Sequence, residues 1–246
     1  MGSSGLRTAP RSPQTTLRPL MERIIADDAT GAAHAAARHI CTALEAALTA
    51  RGRASLAVSG GTSPWVMLAE LGTADINWSC VDILQVDERM APDGDDLRNL
   101  THLTRALAGT RAAAARLHPM PCGGDDADAA AAAYVPVIEA LDGPIDVVHL
   151  GLGEDGHTAS LAPGDPVLDV TDVPVAATAQ PFNGTRRVTL TYPPINAARE
   201  VVWLLTGAGK VPMVARLEAA DPQIPAGRVE QARAILVMDR AAAGGV

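Results

Sequence analysis

Ala54-Ser55-Leu56-Ala57-Val58-Ser59-Gly60-Gly61-Thr62-Ser63-Pro64-Trp65 is the stretch whose reading decides the fold. Residues 54–59 form a short, mostly apolar run of strand length, and the paired glycines punctuate it. Residues 65–71 then read as a helix, with Ser63 placed to cap it and Pro64 suited to its first turn. A strand, a glycine turn and a helix make the repeating unit of a parallel sheet.

The same order recurs on either side. Upstream, apolar residues return at helical spacing over 31–50 and stop at Arg51-Gly52. Downstream the pattern predicts a strand at 81–86, a loop over 87–96, a helix around 97–107, a helix at 125–141, a strand at 145–150 and a glycine loop at 151–156. Short strands are expected at 173–178 and 187–191, a helical turn at 194–198, a strand at 201–206, a helix at 210–219 and a last strand at 234–238. Continuously apolar strands separated by helices imply an α/β fold with a mainly parallel, Rossmann-like sheet and helices on both faces. Residues 20–246 read as a single α/β domain. Residues 1–19 contain Arg7, Arg11 and Arg18, no acidic residue and much Ser, Thr and Pro, the composition of a disordered leader or a cloning remnant.

Composition narrows the function classes. The chain has 246 residues, 48% hydrophobic and 20% charged, enough for a full buried core. A net charge of -8 without any block of Lys or Arg leaves no footprint for a nucleic acid or an anionic membrane, so any anionic ligand must be held by local charges. Three cysteines, widely spaced, suggest neither a disulfide framework nor a zinc site. No apolar stretch reaches the roughly 18 residues that span a bilayer, and no secretory core precedes the domain. A cytoplasmic location is expected.

Four polar or glycine-rich clusters (59–62, 87–89, 151–157 and 207–210) each directly follow a predicted strand, so they should converge on one edge of the sheet. The turn with Gly60, Gly61 and Thr62 offers backbone N–H groups and a helix N-terminus to an anion, or is an ordinary tight turn. Asp87-Glu88-Arg89 is either a solvated triplet or a source of bidentate phosphate contacts through Arg89. Gly207-Ala208-Gly209-Lys210 lacks the rest of a P-loop, although Lys210 remains a phosphate ligand candidate. Gly151-Leu152-Gly153-Glu154-Asp155-Gly156 formally fits a dinucleotide fingerprint. However, Pro163-Gly164-Asp165-Pro166 cuts short the long helix that fingerprint requires. What remains is a glycine loop presenting His157, the side chain best suited to act as a general base near neutral pH, with Asp155 as orienting partner. Cys122 has no activating base nearby, and His34, His39, His102, His118 and His149 read as structural or surface residues.

Together these segments resemble the 6-phosphogluconolactonase family, related to the glucosamine-6-phosphate deaminases and isomerases. The matching stretches are 58–64, 87–89, 151–161 with Pro163, 187–191, 195–198, 207–210 and 239–242, so the resemblance runs from about residue 20 to the C-terminus. It implies the deaminase/isomerase/lactonase type of fold and hydrolysis of a phosphorylated sugar lactone without metal or organic cofactor, by a monomer or homodimer. It also implies that His157, assisted by Asp155, activates water, and that Gly60, Gly61, Thr62, Asp87, Arg89, Arg187 and Lys210 hold the substrate and its phosphate. Arg187, rather than Arg186, is favoured because it directly precedes Val-Thr-Leu-Thr. Two positions depart from the usual pattern: Ala162 stands where the family has Phe, which would widen the pocket, and Arg98 precedes Asn99. The rival readings are the sibling deaminase, disfavoured by Arg89 and by residues 159–163, and a non-catalytic sugar-phosphate sensor, disfavoured by the absence of a spare domain.

Overall fold

All five residues of strand Ala54–Val58 are buried, as a central strand covered on both faces requires. The structure is a computed structural model that describes residues 21–245, so the expected leader at 1–19 lies outside the described residues. In chain order the first elements are β1 (Glu22–Ala26), α1 (Ala29–Arg51), β2 (Ala54–Val58), α2 (Thr62–Leu71), β3 (Val81–Gln85), β4 (Asp87–Arg89), α3 (Asn99–Leu107) and β5 (Arg116–His118). There follow α4 (Ala127–Glu139), β6 (Val147–Leu150), β7 (Val175–Ala177), β8 (Arg187–Leu190), α5 (Tyr192–Ala197), β9 (Glu200–Leu205), α6 (Val211–Glu218) and β10 (Ala234–Asp239).

Seven strands form one sheet in the order β1-β10-β9-β6-β2-β3-β5, and every neighbouring pair in it is parallel. From β2 the chain winds outward through β3 to β5, then returns to β6 and winds the other way through β9 to β10. The direction therefore reverses between β2 and β6, and sheets of this kind receive ligands beyond the strand ends at such a reversal.

Alternate strand residues feed two cores. Leu56, Val58, Ile83, Val202 and Val237 face the alanine-rich side of α1 and Met67 and Leu68 of α2. Ala57, Leu84, Val148, Trp203 and Leu236 face Tyr134 of α4, Ile195 of α5 and Leu217 of α6. Both faces of the sheet are covered.

Several expectations need correction. The strands expected at 173–178 and 187–191 leave the main sheet: β7 and β8 pair antiparallel, and β8 pairs antiparallel with β4, which occupies the start of the predicted loop. Asp-Glu-Arg carries no strand signal of its own and becomes one only because β8 supplies a partner. The edge strands β1 and β5 were also not expected; β5 is three residues, Arg-Leu-His, too short for a periodic signal. Ser63 does not cap α2, which starts at Thr62 after Gly61 without a side-chain cap; its hydroxyl instead lies 2.9 Å from that of Thr206.

The Arg98 departure acquires a role in packing. Glu88 is fully buried and accepts from the N–H groups of Asn99 and Leu100 at 2.8 Å each, so from β4 it caps the start of α3. Arg98, 1% exposed, donates to the carbonyls of Ala91 (2.9 Å) and Met120 (3.1 Å). Its Nε lies 3.1 Å from Glu88 Oε2, as an ion pair rather than an aligned hydrogen bond. Arg98→Met is therefore expected to cost about 3 kcal/mol in urea denaturation, the low end for breaking a buried pair because Glu88 keeps other N–H donors. A loss below about 1 kcal/mol, the scale of an exposed pair, would refute it.

Candidate active site

The loops leaving β2, β3, β6 and β9 surround a cavity of about 380 Å³ at the carboxyl ends of the strands. Gly60, Gly61, Thr62, Asp87, Arg89, His157, Arg187 and Lys210 all line it, together with Asn99 and Ala159. A larger depression of about 670 Å³ opens at the amino ends of β1, β9 and β10. Its Arg51 and Arg199 are paired with Asp146.

The glycine loop after β6 folds back on itself. Gly153 N–H donates to the His157 carbonyl (2.8 Å) and Gly156 N–H to that of Gly153 (3.0 Å). A Cβ on Gly153 would sit 2.0 Å from His157 Nδ1, so only glycine lets the ring lie against the loop. Asp155 Oδ1 accepts from the His157 backbone N–H (3.1 Å) and lies 2.5 Å from Nδ1. With Nδ1–H donating to the carboxylate, Nε2 keeps the lone pair. Burial pushes the Asp155 carboxyl up, but the hydrogen bonds and charge of His157 outweigh this and hold it below its ordinary value. Ala159, at the cavity wall, has φ of 52°, a left-handed conformation unfavourable for a residue with a Cβ and of a kind that clusters at functional sites.

The cationic side of the cavity is built across the small sheet. In the β4–β8 register Arg89 is the direct partner of Arg187, and Asp87 of Thr189. Like charges directly opposed on an antiparallel pair destabilise it, so two arginines here make physical sense with an anion between them. Arg187 is buried, which lowers its ordinary pKa; Asp87, 3.9 Å away, acts against that shift and Arg89 adds to it. Asp87 also accepts from the Ser160 hydroxyl at 2.6 Å, so it braces Arg187 and the histidine-bearing segment at once. Arg89 Nη1 is used by the Leu97 carbonyl (2.6 Å), but its buried Nε has no partner. Among the lining residues three cations, Arg89, Arg187 and Lys210, face one carboxylate, Asp87, in a chain of net charge -8. Arg186 points elsewhere, to Asp128 and the Thr178 carbonyl.

The turn after β2 is held by two residues that it touches. A Cβ on Gly60 would meet Asn99 Oδ1 at 2.0 Å, while Asn99 Nδ2 donates to the Asp87 carbonyl (3.0 Å) and so joins the first and second clusters. His149, fully buried, accepts from Ser59 N–H through Nδ1 (3.3 Å), and burial lowers its pKa to about 4, so it is a neutral brace. The remaining histidines are also accounted for: His39 pairs with Glu200, His118 with Asp82, His102 stacks on Trp65, and His34 lies 3.9 Å from Glu70. Cys122 is buried with its thiol pushed up to about 12, which disables it as a nucleophile. Ala162 is buried and is not among the residues that line the cavity. Phe182, unmarked in the sequence, packs against His157. No group of three or more His, Cys, Asp or Glu among the described residues is arranged to hold a metal ion, and no helix among them is long and apolar enough to cross a membrane.

Fold and site define an α/β protein with a cation-lined cleft and a histidine–aspartate pair at the topological reversal of a parallel sheet. The chain belongs to the family described as glucosamine-6-phosphate isomerases/6-phosphogluconolactonase, whose model matches residues 27–238. It is 38% identical over 226 residues to a 6-phosphogluconolactonase of Mycobacterium tuberculosis, covering 85% of this chain and 92% of that one. It is 36% identical to the Rhizobium meliloti 6-phosphogluconolactonase over 81% and 88% of the two chains. The solved structure of a 6-phosphogluconolactonase from Shewanella baltica superposes with a TM-score of 0.83 at 28% identity, covering 90% of this chain and 98% of that one. A monomeric glucosamine-6-phosphate deaminase shares the fold at a TM-score of 0.77 and 17% identity.

Proposed function

We propose that the chain hydrolyses 6-phospho-D-glucono-1,5-lactone to 6-phospho-D-gluconate, the lactone step of the oxidative pentose phosphate pathway, as one cytoplasmic domain without metal or organic cofactor. The observation that carries this reading is the pairing of Arg89 with Arg187 across β4 and β8, on a cavity that also presents His157. In this reading the phosphate lies against Arg89, Arg187, Lys210 and the N–H groups of the Gly60-Gly61-Thr62 turn, and Asp87 orients Arg187.

With the phosphate fixed, the lactone carbonyl carbon is held near His157. Nε2 takes a proton from a water whose oxygen bonds to that carbon, giving a tetrahedral intermediate; Asp155 stabilises the imidazolium. Collapse breaks the bond between the carbon and the ring oxygen, which leaves as a hydroxyl with the proton returned by the imidazolium. The balance is one water added per lactone opened. Anchoring at the remote phosphate converts attack into a positioned event, an effect worth up to roughly 7–11 kcal/mol in the best-oriented cases.

Rates on 6-phosphogluconolactone, unphosphorylated gluconolactone and glucosamine 6-phosphate test the assignment in one assay. Turnover is expected for the first, far weaker turnover for the second and none for the third; ammonia release from glucosamine 6-phosphate would favour the deaminase, and binding of phosphogluconate without lactone turnover a sensor. Gly153→Ala should lower kcat about 100-fold, because the added methyl displaces the imidazole. An unchanged kcat would separate His157 orientation from this loop.

A further inference from the structure

Phe182 is the single phenylalanine of the chain, half-buried at the tip of the hairpin joining β7 to β8. Its ring meets the His157 imidazole with centroids 4.8 Å apart and planes at 75°, the edge-on arrangement that aromatic rings favour. The Arg187 guanidinium carbon lies 4.9 Å from the centroid of the same ring, and Arg187 Nε donates to the Phe182 carbonyl at 3.1 Å. One side chain thus touches both the histidine and an arginine of the cationic wall.

The hairpin holds this ring in place. Phe182 N–H donates to the Thr185 carbonyl at 2.9 Å. Farther back, the buried carboxylate of Asp165 accepts from the N–H groups of Ala179 and Gln180 at 3.1 Å each and from Val167 N–H at 2.9 Å. Asp165 lies on the segment that continues from His157, so one carboxylate ties the hairpin to the stretch of chain bearing the histidine.

We propose that Phe182 is a positioning residue that couples the two halves of the site, a role resting on the lactonase reading above. The His157 side chain is 28% exposed; Asp155 holds it at Nδ1 and Gly153 lies against the ring, and a further contact narrows it to one rotamer. Phe182 supplies that contact. A phosphate that draws the Arg187 guanidinium into place also sets the ring beneath it, and the ring sets the imidazole. Phosphate occupancy and base orientation then share one contact, which links binding of the remote group to the rate of the chemical step.

The test measures kcat, KM and melting temperature for Phe182→Leu, Phe182→Tyr and Asp165→Asn with freshly generated 6-phosphogluconolactone. Phe182→Leu is expected to lower kcat about tenfold and to raise KM severalfold. Phe182→Tyr keeps the ring and should restore both to within about twofold of the starting protein. Asp165→Asn loosens the hairpin from outside the cavity and should lower kcat in the same sense, which keeps the proposal testable if Phe182→Leu fails to fold. A folded Phe182→Leu with unchanged kcat, a Phe182→Tyr no better than Phe182→Leu, or an unchanged Asp165→Asn would each overturn the role. Turnover by the unsubstituted protein together with any of these defeats the role of Phe182 alone; no turnover above spontaneous hydrolysis defeats the lactonase reading and this role with it.

Discussion

His157→Ala is expected to lower kcat for 6-phosphogluconolactone by at least about 100-fold, the usual contribution of a positioned general base, while the protein still folds. The fold should survive because the imidazole sits on a loop at the cavity rim, partly exposed, and touches Asp155, Gly153 and Phe182 rather than either hydrophobic core. Loop closure relies instead on backbone bonds between Gly153, Gly156 and the His157 carbonyl, which alanine retains. A coupled assay on fresh lactone, corrected for spontaneous opening, measures the loss, and near-wild-type turnover would remove His157 as the base. Asp155→Asn should cause a smaller fall in kcat, because the ring stays in place while the imidazolium loses its counter-charge.

Arg89→Ala and Lys210→Ala are the second pair of large effects. Each removes a cation from a wall that faces a single carboxylate, and a hydrogen bond to a charged group is worth about 1.5–3 kcal/mol, so kcat/KM should fall by roughly 10- to 150-fold per substitution. The loss should appear chiefly in KM and only with phosphorylated substrate. Unphosphorylated gluconolactone, having no dianion to lose, should be turned over at its former low rate. Arg89→Ala should also leave the unliganded protein at least as stable as before, because it relieves the opposition of Arg89 and Arg187 across the β4–β8 pair. Kinetics on both lactones and a melting curve check the three statements together; unchanged KM and kcat would end the phosphate-anchor reading.

Much of this was legible before the structure. The runs around 54–59, 81–86, 145–150 and 201–206 are apolar and bounded by turn residues, so their strand character follows from local pattern, and their bounds shift by only a residue or two. The parallel arrangement follows from the helices between them, and the parallel arrangement in turn places the clusters at 59–62, 87–89, 151–157 and 207–210 at one end. That inference holds for every cluster. The shortened helix after His157 was equally readable, because Pro163 and Pro166 act through covalent geometry.

Other features had no local signal. β4, with its three polar residues, is a strand only because β8 lies beside it, and the two are separated by almost one hundred residues of chain. Arg98 read only as a departure from the family pattern, yet it is buried against Glu88, where the ion pair makes burial of a cation tolerable. Phe182 has no patterned neighbours, and its meaning depends on a hairpin tied back by Asp165.

The amino-acid sequence by itself therefore determined the parallel sheet, the end of the sheet where chemistry gathers, and the glycine loop that offers His157. These follow from periodicity, glycine and proline, which act within a few residues. Only the tertiary structure decided that Arg89 stands opposite Arg187, that Arg186 turns away to Asp128, and that Phe182 lies between the base and the cationic wall. The physical reason is that strand register and side-chain packing are set by hydrogen bonds and contacts between segments far apart in the chain, and no local pattern encodes which segment will come to lie opposite which.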